Sequence, residues 1–453
     1  MFSLIWEARR KSRLGVGDHL MIGGDETTVM KTEKFEKNRL QSPGWTDDRA
    51  LADENAKDCD STGSALQTNL QHIPVKAPSQ KATVYHPELD ILRFFAFLLV
   101  FGTHALAYST AHLLAHHIPP VIAKVFPAFV IGGRMGVDLF FLLSAYLITD
   151  LLLREKDTFG KLNLPAFYAR RALRIWPLYF ALIALVMVFP AMEVENSAFS
   201  RVNLIAFLLF VGNWSFVFGG RVYSVLGPLW SVSIEEQFYV LWPPIVSRLS
   251  RRGILIASAV MIFIANADRA IEIMIFHHSL AKLWENTLAH LDSLAVGIAI
   301  AVLLNGKTSQ LKWPVRVAMF IGGYLCFAIR GNAMAELADA PVSQGNMAVL
   351  GYAIIVLGCA LFLFSLLGAP IRSSVLEYLG KVSYGLYVYH VAALALVDRY
   401  YRAHGVTHEV LRPILGLIVT IGVAAISYRY LEMPFLKLKQ RFTLVHSRPL
   451  NAQ

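Results

Sequence analysis

The sequence predicts an all-α fold: a polytopic transmembrane helical bundle of about ten spanning helices with a re-entrant segment. Three observations carry this. Hydrophobic residues make up 55% of the 453 residues and charged residues only 16%, against roughly 25% charged in soluble domains. Eleven apolar runs approach or exceed the roughly 17–25 residues of a spanning helix. The connections between runs carry basic residues in a pattern that fixes which ends lie inside.

The runs fall near 91–111, 134–153, 173–191, 202–218, 229–247, 253–271, 287–304, 314–330, 346–368, 383–398 and 409–431. The 154–174 connection holds Arg154, Lys156, Lys161, Arg170, Arg171 and Arg174, so it is expected on the cytoplasmic side. Two runs precede it, which puts the N-terminus inside as well. MEVENS beyond the third run is acidic and is expected outside. RLSRRG (248–253), KTSQLKWPVR (307–316), IRSSVLEYLGK (371–381) and KLKQRF (437–442) are all basic. Placing every basic connection inside leaves ten crossings, so either 202–218 or 229–247 fails to cross. The expectation is a re-entrant 229–247, because Glu235 and Glu236 are costly in lipid.

Residues 1–85 read as a disordered cytoplasmic extension, residues 86–440 as the membrane domain and 441–453 as a cytoplasmic tail. The extension is polar, and residues 1–87 balance 12 basic against 12 acidic residues. Its opening MFSLIWEARRKSR is too short for the apolar core of a signal peptide. The net charge of +10 therefore belongs to residues 88–453, where 30 basic residues face 20 acidic ones. There it reflects cytoplasmic loops, not nucleic-acid binding. Cys59, Cys326 and Cys359 suggest neither a disulfide framework nor a metal site.

Charged and titratable residues inside apolar runs mark candidate sites. In LDILRFFAFLLVFGTHAL, Arg93 and His104 are eleven residues apart. That spacing puts them on one helical face, about 16 Å apart along the axis. Arg93 is expected at the inner boundary, where snorkelling is an equal explanation, and His104 in the outer half. Asp138, early in the second run, lies at a comparable depth. It is expected either to orient His104 or to pair with Arg134 one turn away. Arg171 and Arg174 share a face at the inner mouth with Arg170 beside them, a set suited to a phosphate-bearing anion; the bland reading is a positive-inside anchor. Glu235 and Glu236 point about 100° apart and are expected to play different parts. His390 sits mid-run among Tyr384, Tyr387 and Tyr389, as a core group or as lining of a substrate path. Glu432 and Arg429 are expected to form a structural pair. The glycines 132, 133 and 136 suggest close helix contact.

Five stretches in order, LDILRFFAFLLVFGTH, GGRMGVDLFFLLSAYLIT, FYARRALRIWPLY, LWSVSIEEQFYVLWP and LGKVSYGLYVYH, resemble the membrane-bound acyltransferase 3 family of bacterial polysaccharide O-acetyltransferases. The resemblance covers about residues 85–440. It implies about ten spans and transfer of an acyl group, usually acetyl, from cytoplasmic acyl-CoA to a sugar hydroxyl outside. The acceptor it implies is a surface or exported polysaccharide or a lipid-linked sugar, and the implied location is the bacterial inner membrane, without a metal. It places the catalytic histidine on His104 with Arg93 as its motif partner, and the CoA phosphates on Arg171 and Arg174. The family's LSGF reads LSAY here, so Tyr146 adds a hydroxyl to the expected substrate path. The runner-up reading is a transporter or exporter whose Arg, His and Glu line an ion path. A non-catalytic subunit of an export complex ranks third.

Overall fold

The computed structural model describes residues 86–106, 113, 117–189, 201–219, 224–276, 280–308, 310–337, 345–405 and 411–443. The extension over 1–85, the acidic MEVENS and the tail beyond 443 lie outside the described residues. All regular structure among the described residues is helical.

In chain order the helices are α1 (Pro87–Ala105), α2 (Pro120–Gly132), α3 (Gly136–Phe159), α4 (Leu164–Val188), α5 (Arg201–Leu208), α6 (Gly212–Gly219), α7 (Leu229–Arg248) and α8 (Arg251–Met274). They continue with α9 (Leu280–Glu285), α10 (Leu291–Leu304), α11 (Trp313–Leu337), α12 (Gly345–Leu366), α13 (Ser374–Lys381), α14 (Ser383–His404), α15 (Leu411–Ser427) and α16 (Met433–Lys439). By length and composition, five helices are able to cross a membrane: Pro120–Phe159, Leu164–Val188, Arg251–Met274, Trp313–Ala333 and Leu411–Phe442. Helix α1 is also 19 residues long, but it carries Glu88, Asp90 and Arg93.

The outer surface is oily in stripes. Ile256, Val260 and Phe263 on α8, Ile321, Leu325 and Ile329 on α11, and Ile414 and Ile418 on α15 are all exposed. Spacings of three and four put each set on one helical face. Large exposed apolar stripes of this kind belong to a protein solvated by lipid, and the chain is an integral membrane protein.

Basic residues at the connections do more than bias orientation. Lys156 donates to the carbonyls of Val246, Ser247 and Leu249 at 2.9, 3.1 and 2.9 Å, closing the C-terminal end of α7. Arg316 does the same for α12 through Ser365 O and Leu367 O, both at 3.0 Å. Helix ends leave such carbonyls without partners, so each cap satisfies an obligatory acceptor. Asn163 and Ser250 cap the starts of α4 and α8. At Gly133 and Gly136 the chain passes so close to α1 that a side chain would run into the Leu99 and Ala96 carbonyls.

One expectation changes here. Residues 229–248 form an unbroken 20-residue helix, not an irregular segment; Glu235 and Glu236 each find a partner, which lowers the cost that argued for irregular backbone. The break lies instead in 201–219, which splits into two eight-residue helices at Phe210, where φ is 56°. Each piece rises only about 12 Å. The acceptor freed at the break, Phe210 O, receives the Gln237 side-chain amide of α7 at 2.9 Å.

Candidate active site

Helices α1, α3, α7 and α14 enclose a cavity of about 40 Å³, lined among others by Arg93, Phe140, Ser231, Glu235, Tyr384 and Tyr387. It is held open by hydrogen bonds between helices. Ser144 of α3 donates to Glu235 Oε1 at 2.5 Å. Ser231 and Tyr387 share a hydrogen bond of 2.7 Å. The Tyr384 hydroxyl donates to Ile175 O of α4 at 3.0 Å. Arg93, Arg171 and Arg174 all lie within electrostatic reach of the Glu235 carboxylate. The arginine of the first run and the two of the Arg-x-x-Arg pattern, about 80 residues apart in sequence, therefore act on one carboxylate.

The two adjacent glutamates diverge as neighbouring helical positions must. Glu235 faces the cavity, while Glu236 turns towards α4 and accepts from the Trp176 indole at 3.1 Å. The three clustered arginines also separate. Arg171 lies between the rings of Phe167 and Tyr239, at 5.5 and 5.6 Å from their centroids, and its Nε is buried without a hydrogen-bond partner. Arg174 acts on both Glu235 and Glu432. Arg170, expected to bind the same anion, is engaged elsewhere. It forms a buried ion pair with Glu155 at 2.9 Å and donates to Phe442 O at 2.8 Å. Arg170 and Arg174 are i, i+4 neighbours on the helix, so it is the bonds to Glu155 and Phe442 O, not the helical azimuth, that take Arg170 out of the set. Arg429 stacks near the Tyr430 ring, and Glu432 answers to Arg174.

At the end of α1 His104 is exposed. Its ring meets that of His390 edge-on, with centroids 5.0 Å apart. His390 is fully buried, and its ring also meets Phe97 at 6.2 Å. Both imidazoles present Nδ1 to a backbone carbonyl, His104 to Val100 O at 2.9 Å and His390 to Tyr387 O at 2.6 Å. A carbonyl only accepts, so Nδ1 carries the hydrogen in each. In the neutral ring Nε2 is then the basic nitrogen. His390 Nε2 is buried with no hydrogen-bond partner. One turn before His390, Tyr387 lines the cavity. His390 thus stands one turn of α14 from the cavity lining and in ring contact with the exposed His104.

Asp138 does not orient His104, nor does it pair with Arg134. It is fully buried against α10 and the short turn before it, where Oδ1 meets His290 Nδ1 at 2.8 Å and accepts from the Ser293 hydroxyl at 2.8 Å. His290 Nε2 donates to Trp284 O at 2.8 Å. Beside this pair, Arg269 of α8 binds Asp292 at 2.5 Å and lies over the Tyr352 ring at 3.9 Å. Depth along two helices placed Asp138 level with His104; it carried no information about which neighbour each face meets. His290 was missed, although it is a histidine in an apolar run like the two that were singled out. Tyr146 is buried in the core and is not among the residues lining the cavity. Among the described residues no group of three or more His, Cys, Asp or Glu is placed to hold a metal ion.

A helical membrane protein in which an arginine and a glutamate border a buried cavity defines a class of membrane-bound site. Residues 86–429 match the acyltransferase 3 family, described as an acyltransferase domain, and the chain belongs to that family. A protein of Staphylococcus aureus (strain COL), provisionally named an O-acetyltransferase, is 29% identical over 329 residues, covering 68% of this chain and 53% of the relative. The O-acetyltransferase OatA of Staphylococcus aureus (strain NCTC 8325 / PS 47) is 27% identical over 321 residues, with the same coverage. The chain spans about half the length of these curated relatives. No solved structure matches it significantly.

Proposed function

We propose that this protein is an integral-membrane O-acyltransferase. It moves an acyl group, acetyl first among candidates, from cytoplasmic acyl-CoA to a hydroxyl of a surface or exported polysaccharide or a lipid-linked sugar. The observation that carries the reading is the alignment of the cavity, His390 and the exposed His104, whose tautomer leaves Nε2 as a base. The placement is that of a bacterial inner membrane protein with ten crossings and both termini inside. The two pieces of 201–219 do not cross in this arrangement, and the unbroken 229–248 does.

Arg171 and Arg174 hold the anionic part of the donor; an unpartnered buried Nε on Arg171 supports a polar ligand there. Arg93 contacts the donor at the inner mouth and Glu235 lines its path, so that the thioester end reaches His104. At the outer end, His104 Nε2 accepts the proton of the acceptor hydroxyl as its oxygen attacks the acyl carbonyl. The carbon–sulfur bond breaks, and the thiolate takes a proton and leaves as free CoA.

The test is acetyl-CoA consumption and glycan acetylation in membranes carrying the full chain. His104→Ala should abolish transfer while the protein stays in the membrane at normal abundance. Normal glycan acetylation by that variant would overturn the catalytic assignment. Arg171→Ala with Arg174→Ala should raise the KM for acetyl-CoA; an unchanged KM would return both to the role of membrane anchors. A protein that never releases free CoA would be a transporter instead.

A further inference from the structure

His104 occupies the last turn of α1, and the final residues of a helix are its loosest part. Yet both residues flanking it are tied to other helices. On one side, the Thr103 hydroxyl reaches Val130 O of α2 at 2.8 Å. On the other, Ala105 O receives Arg412 of α15 at 2.8 Å. Ala105 O is one of the carbonyls that the helix end leaves without an internal partner. The same guanidinium grips Asp398 of α14 with two hydrogen bonds, Nε to Oδ1 at 2.5 Å and the terminal nitrogen to Oδ2 at 2.9 Å.

We infer that Arg412, oriented by Asp398, is a positioning residue that fixes His104 relative to His390. The inference rests on the proposed role of His104. Three facts support it. Asp398 lies two turns along α14 from His390, so the helix carrying the buried histidine also carries the clamp. The planar fork makes one connection to Asp398 and a separate one to α1, a geometry lysine cannot reproduce. The pair is about 30% exposed on each side (29% and 32%), and exposed pairs add little stability. A costly-to-order, weakly stabilising clamp at this spot makes sense through the geometry it imposes. Misplacing a reacting group by about 1 Å costs roughly a hundred-fold in rate.

The experiment uses the purified full chain with acetyl-CoA as probe. It measures kcat, KM, thermal unfolding and amide hydrogen exchange. The variants are Arg412→Lys, Asp398→Asn and the swap Arg412→Asp with Asp398→Arg, beside His104→Ala. We expect Arg412→Lys to lower kcat roughly ten- to a hundred-fold with KM unchanged. Exchange should accelerate in residues 100–106 and not elsewhere in α1. The swap should leave the unfolding temperature near wild type without restoring kcat, because it rebuilds the ion pair but not the bond to Ala105 O. Wild-type kcat in Arg412→Lys, or full rescue of kcat by the swap, overturns the inference. If Arg412→Lys does not fold, Asp398→Asn decides: unchanged kcat and unchanged exchange in 100–106 also overturn it. Transfer persisting in His104→Ala would instead sink the proposed function. A dead His104→Ala beside a normal Arg412→Lys would sink the clamp alone.

Discussion

Two polar regions are buried in this bundle, and they are built differently. Around Asp138, each charged group is tied directly to a neighbour: Asp138 to His290 and Ser293, and Asp292 to Arg269, with His290 ringed by Phe141, Trp230, Trp284 and Tyr352 at 5.2 to 5.8 Å; Asp138 Oδ2 and Arg269 Nε keep no hydrogen-bond partner. Around Glu235, the charges border a cavity, and the Nε of Arg171 and Oε1 of Glu236 are buried without hydrogen-bond partners. The difference teaches that an ionisable residue at membrane depth is not itself a functional signal. Both regions keep buried polar atoms without partners, so what separates them is the space: a knot of direct ion pairs ties helices together, whereas charges that border a cavity stand beside room for something that enters.

The comparison breaks if the knot proves dispensable. Asp138→Ala leaves the buried His290 without its partner and should cost about 3–5 kcal/mol, read as a large fall in unfolding temperature and loss of protein from the membrane. A fall of only a degree or two would remove the knot's structural role. Glu235→Gln should do the opposite. Gln keeps an acceptor for Ser144, so stability should change by about 1 kcal/mol or less, while CoA release drops roughly ten-fold or more. A stable, fully active variant would make the cavity incidental. Lys156→Met removes three hydrogen bonds from the end of α7 and should cost about 1–3 kcal/mol without altering KM for acetyl-CoA. The smallest effect belongs to Arg251→Ala. Its ion pair with Asp157 is exposed, at 36% and 46%, and should contribute about 0–1 kcal/mol. A larger shift would mean that surface pairs in this protein act as a network.

The all-helical class was legible because lipid imposes a simple demand on sequence: long apolar runs separated by basic connections. The site was legible in part. Arg93 and Glu235 stood out as charges in oily runs, and the cavity unites them. Which carboxylate serves which histidine was not legible. Asp138 and His104 agree in depth, but depth says nothing of azimuth, and Asp138 faces α10 instead. Arg170 is engaged elsewhere because Glu155, fifteen residues earlier on another helix, holds it in a buried ion pair, a partner that spacing within α4 does not announce. The irregular segment went to 229–247 because its glutamates looked unaffordable in lipid. Ser144 and Trp176, distant in sequence, supply their partners, and no local pattern announces such a meeting.

The crossing of α1 by the turn at Gly133 and Gly136 has a consequence for inherited variation. Every missense change reachable from a glycine codon by a single nucleotide substitution yields Ala, Val, Ser, Cys, Asp, Glu, Arg or Trp, all of which carry a Cβ atom. At these two positions that atom lands on a backbone carbonyl of α1, and a carbonyl in a helix has nowhere to retreat. The contact next to His104 therefore has no neutral neighbours in sequence space. A lineage that loses either glycine must move a helix to keep its fold.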